Sequence, residues 1–82
     1  MVEGMDKKQF GERLRVARVR QGMTQLDVAV ALEEYGIVLN QTAIGKLERG
    51  ERNLYVHQLV PLLEILDISF DWLINGGELR ID

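Results

Sequence analysis

Apolar residues recur along the chain at the three-and-four spacing that lines one face of an α-helix, and the rhythm breaks mostly at glycine. Phe10, Leu14 and Ala17 form the first stripe. Asp6 with Gln9 supplies a capping pattern ahead of it and Gly22 a stop behind it, which predicts a helix over residues 7–21. Thr24 with Asp27 repeats the capping pattern, and Leu26, Val28, Ala29 and Leu32 give apolar faces to a second helix over 25–35, stopped by Gly36. Ile37 and Leu39 then tuck inward while the chain reverses. Asn40 caps a third helix over 41–49, with Ile44 and Leu47 as its inner face and Gly50 as its end. Leu59, Leu62, Leu63 and Leu66 mark a fourth helix over 56–66, in which the missing donor of Pro61 implies a late start near Gln58 or a bend. Ser69 caps a short fifth helix over 70–75 that contributes Phe70, Trp72, Leu73 and Ile74. The pattern is that of an all-α fold of five helices in a single domain spanning 1–82.

At 82 residues the chain buries only about 60% of the surface its unfolded form exposes, so its core has to be economical. Cys is absent and His57 is alone, which excludes disulfides and leaves no ordinary set of metal ligands; no cofactor is expected. Ser also occurs once, so no nucleophile and base can be paired from the usual residues, and the chain does not read as an enzyme. No run approaches the ~18 apolar residues of a membrane span, and the N-terminus lacks the apolar stretch of a secretion signal. A soluble, cytoplasmic protein is expected.

The net charge of −3 argues against a nucleic-acid partner until it is divided along the chain. Residues 1–53 hold nine Lys and Arg against eight Asp and Glu, whereas residues 54–82 hold one against five. The acidity belongs to the C-terminal part, which leaves room for a working face on the first half. If Ile44 and Leu47 face inward, then Gln41, Thr42, Gly45 and Lys46 of "NQTAIGKLERGERN" face outward on a slim, polar helix. Gln pairs with adenine N6 and N7, Lys donates to guanine O6 or N7, and Thr bonds a base edge or touches a thymine methyl. An ordinary solvated helix face has the same composition.

The order "RxxxGMTQ", a small Ala in the second helix, "IGKLERGER" and "ISFDWL" resembles the helix-turn-helix domain of the phage repressor and Cro family over residues 10–74. The segment "EEYGIV" lengthens the inter-helix turn by about four or five residues relative to that pattern, part of which a longer second helix can absorb. The resemblance implies a transcriptional regulator, with repression as the expected direction, that inserts helix 41–49 into the major groove of double-stranded DNA. It implies base contacts from Gln41, Thr42 and Lys46, phosphate contacts from Gln25, Asn40, Arg52 and Asn53, and a structural ion pair between Arg18 and Glu48. It also implies a homodimer, through the fourth and fifth helices with Leu79 and Ile81, and leaves open a protein antirepressor or effector. The competing reading is a protein-interaction module on the same scaffold with little DNA affinity.

Overall fold

The structure, a computed structural model, describes residues 6–76. Five helices follow in chain order: α1 (Lys7–Arg20), α2 (Gln25–Glu33), α3 (Gln41–Glu48), α4 (Val56–Leu66) and α5 (Phe70–Asn75). Side-chain caps start four of them. Asp6 accepts the Lys8 N–H, Asn40 the Ala43 N–H and Ser69 the Trp72 N–H, while Thr24 and Asp27 satisfy each other's backbone N–H at 3.0 and 2.8 Å. These bonds fill donors that the first helical turn leaves open. At α4, where Tyr55 offers no cap, Gln58 reaches back and accepts the Tyr55 N–H at 3.0 Å. The helix starts at Val56 and continues through Pro61, so Pro61 does not delay it.

The ends are equally local. The regular part of α2 stops at Glu33, and one further turn carries the chain to Gly36, whose φ of 76° lies in the left-handed region. There Gly36 N–H donates to Glu33 O and Ile37 N–H to Leu32 O, the paired bonds that close a helix and turn the next residue inward. The long connector is thus not absorbed by extra α2 helix. It is an extended strap whose Ile37 and Leu39 are buried, while Val38 between them is 86% exposed. Alternation over three residues fixes the strap to the core at two points.

The core joins Phe10, Leu14 and Ala17 of α1 to Val28, Ala29 and Leu32 of α2, Ile44 and Leu47 of α3, Leu62 and Leu66 of α4, and Leu73 of α5. Leu59 and Leu63 only half enter it. Leu26 does not enter at all: two residues before Val28, it points about 200° away around α2 and is exposed. Phe70, in the opening turn of α5, is also exposed, and Leu73 with half-buried Trp72 carries that contact instead. Arg13 ties α5 down, its Nη1 donating to the Leu73 and Ile74 carbonyls at 3.0 and 2.7 Å, a cation at a helix C-terminus. Leu79 and Ile81 lie outside the described residues. No helix among the described residues is long and apolar enough to cross a membrane.

Candidate nucleic-acid interface

Burial divides α3, with Ala43, Ile44, Leu47 and Glu48 buried and Gln41, Thr42 and Lys46 exposed. Gly45, expected to face outward with them, is buried too, because the Gln25 and Arg49 side chains lie against it. Asn40, in front of the helix, is exposed as well, but its Oδ1 is occupied by the Ala43 N–H at 2.8 Å. Only its Nδ2 donors remain to meet a phosphate.

The inner edge of α3 is held by a network across three helices. Arg18 of α1 grips Glu48 with two bonds, Nε to Oε2 at 2.6 Å and Nη2 to Oε1 at 3.0 Å, and the side chains are only 13% and 6% exposed. Arg18 Nη1 also donates to the Met23 carbonyl at 2.8 Å, in the turn that leads into α2. Gln25, the first residue of α2, donates from Nε2 to Glu48 Oε1 at 3.1 Å. Glu48 therefore fastens α3 to α1 and α2 together. Its hydrogen bond raises the Arg18 guanidinium pKa above the ordinary value, against the opposing effect of burial, so Arg18 stays charged.

The network also aims Gln25. Its amide lies beside Gly45 on α3, with Oε1 3.4 Å and Nε2 3.5 Å from the place where a Cβ at 45 would stand. Gln25 thus sits against the same helix as Gln41, Thr42 and Lys46, with one amide N–H committed to Glu48 and one left over. Arg52 and Asn53 are exposed in the loop that follows α3.

Two residues that sequence reasoning passed over matter here. Arg49 is not among the residues the sequence assigns to the interface, yet its Nη1 lies 3.2 Å from the Cβ position of Gly45 and helps to cover that residue. Helical spacing contains the signal, since 41, 45 and 49 are successive i, i+4 positions. Gly11 had no such signal. It lies where α1 meets the last carbonyls of α3, a closeness set by residues far along the chain.

A polar helix with one buried face, fastened by a cross-helix ion pair and preceded by a capped partner helix, defines a DNA-binding regulator of helix-turn-helix type. The chain belongs to the helix-turn-helix family, whose pattern matches residues 14–73. Its fold is similar to the crystal structure of the restriction-modification controller protein C.AhdI from Aeromonas hydrophila, with 32% sequence identity and a TM-score of 0.71 over 83% of this chain and 96% of that one. No curated protein matches the chain.

Proposed function

We propose that the protein is a sequence-specific transcriptional repressor that binds double-stranded DNA as a homodimer, with α3 in the major groove. The observation that carries this reading is the exposure of Gln41, Thr42 and Lys46 on a helix whose opposite side is packed into the core. Each good base contact discriminates by roughly 1 to 3 kcal/mol, so one helix alone selects too few base pairs for a useful site, and two-fold pairing with half-sites about 34 Å apart supplies the rest. Gln25, Asn40, Arg52 and Asn53 serve as phosphate contacts that set register.

The dimer surface in this reading is α4 with α5, where Val56, Val60 and Phe70 expose apolar side chains. The similarity to a restriction-modification controller protein makes DNA upstream of restriction-modification genes the first operator to try. Selection from a random duplex pool tests the proposal directly. A recovered palindrome, bound more weakly by Gln41→Ala and Lys46→Ala proteins of unchanged helicity, is the expected result. Failure to enrich any sequence, with capture of a protein ligand instead, favours the interaction-module reading.

A further inference from the structure

α3 turns by about 100° per residue, so with Gln41 at zero, Gly45 falls near 40°, Arg49 near 80°, Thr42 near 100° and Lys46 near 140°. Arg49 thus occupies the middle of the arc spanned by the three exposed polar residues. Its guanidinium folds back along the helix into the space that Gly45 leaves, with Nη1 3.2 Å from the position of the missing Cβ and the Gln25 amide alongside. On its other side Arg49 Nε is shared between the two carboxylate oxygens of Glu51, at 3.2 Å each. Both side chains are more than half exposed. They border an open cleft of about 920 Å³ between α1 and α3, whose lining mixes Lys8, Arg15 and Arg18 with the carboxylates of Asp6, Glu12 and Glu48.

We propose that Arg49 binds a DNA backbone phosphate beside the C-terminal end of α3, and that Glu51 is its internal competitor, holding the guanidinium in the free protein and yielding it to the phosphate. This rests on α3 being the helix that enters the groove. An exposed Arg–carboxylate pair contributes only about 0 to 1 kcal/mol, so it exchanges readily. A backbone phosphate presents two oxygens to the guanidinium fork, of which Glu51 engages only Nε, and it releases a counterion from the duplex when it is neutralised. Gly45 makes the arrangement possible by leaving the outer face of α3 free for the guanidinium to lie on.

The test is a salt series with a random-sequence duplex, measured for the wild type, Lys46→Ala, Glu51→Gln, Arg49→Gln and the Glu51→Gln/Arg49→Gln double variant, with helicity checked for each. Arg49→Gln is expected to weaken binding and to flatten the slope of log affinity against log salt by about 0.9, the value of one phosphate contact. Glu51→Gln is expected to tighten binding about 3- to 10-fold at low salt, and by less than about twofold when Arg49 is already Gln. Equal tightening in both backgrounds overturns the competitor role, because Glu51 then acts only as one negative charge on the face. An unchanged slope for Arg49→Gln, in a protein that binds duplex and is weakened by Lys46→Ala, overturns this proposal while leaving the reading of α3 intact. No duplex binding by the wild type at any salt overturns both.

Discussion

Gly11 of α1 lies so close to Leu47 of α3 that a methyl group on its Cα would run into the Leu47 carbonyl oxygen and stand 2.5 Å from the carbonyl oxygen of the next residue, Glu48. These are backbone atoms at the end of a helix and have no rotamer to move to. Gly11→Ala therefore has to push α1 and α3 apart. The helix-propensity gain of about 1 kcal/mol is outweighed, and a net loss of about 1 to 3 kcal/mol is expected in urea unfolding. An unchanged or raised midpoint would show that the two helices can separate freely.

Gly45 makes the opposite case. A Cβ there meets only the ends of two side chains, Arg49 and Gln25, at 3.2 and 3.4 Å, and both can shift. Gly45→Ala is expected to keep the fold and to stabilise it by up to about 1 kcal/mol. The same change displaces the groups proposed to hold phosphates, so DNA affinity is expected to fall while the melting temperature holds or rises. A variant that binds DNA as tightly as the wild type contradicts this.

The Arg18–Glu48 pair should respond unequally to removal of its two members. Arg18→Met leaves the buried Glu48 carboxylate with Gln25 as its remaining partner, and a loss of about 3 kcal/mol is expected, in the range for breaking a buried pair. Glu48→Ala leaves Arg18 bonded to the Met23 carbonyl and should cost less, about 1 to 2 kcal/mol. Both changes loosen α3 from α1 and should reduce DNA affinity. Equal losses of stability would remove the asymmetry, and no loss in either variant would remove the anchoring role.

Acid should act on the start of α2. Hydrogen bonds from the Thr24 backbone and side chain hold the Asp27 carboxyl below its ordinary pKa of 3.8. A depressed folded-state pKa means that the stabilisation is present above the unfolded value and is lost as pH falls through the folded one. The melting temperature is therefore expected to drop as pH is lowered from about 5 towards 3, and to drop less steeply in Asp27→Asn. Parallel curves for the two proteins would place the acid sensitivity elsewhere.

What the sequence discloses and what it conceals differ in range. Thr24 with Asp27, Asn40 and Ser69 act on backbone within three residues, so the starts of α2, α3 and α5 can be read directly. The inner face of α3 follows in the same way from the spacing of Ile44 and Leu47. Gln58 was harder, because a polar residue that becomes buried by reaching back to the Tyr55 N–H looks like any other helix residue until the turn is formed. Gly11 and Arg13 were out of reach altogether: their reasons are the carbonyls of α3 and α5, which only the tertiary fold brings to α1. Leu26 misled for a related cause, since α2 has apolar residues on more than one side and only packing decides which side turns inward.

Ile37 and Leu39 give the segment before α3 a property that a tight turn lacks. With anchors on either side of Val38, the aim of the following helix is set at Leu39 and the Asn40 cap, and the path from α2 ends at Ile37. Slack inserted around Gly36 would be taken up before the first anchor and would not reach the exposed side of α3. The length of this joint is therefore uncoupled from the angle at which α3 is presented.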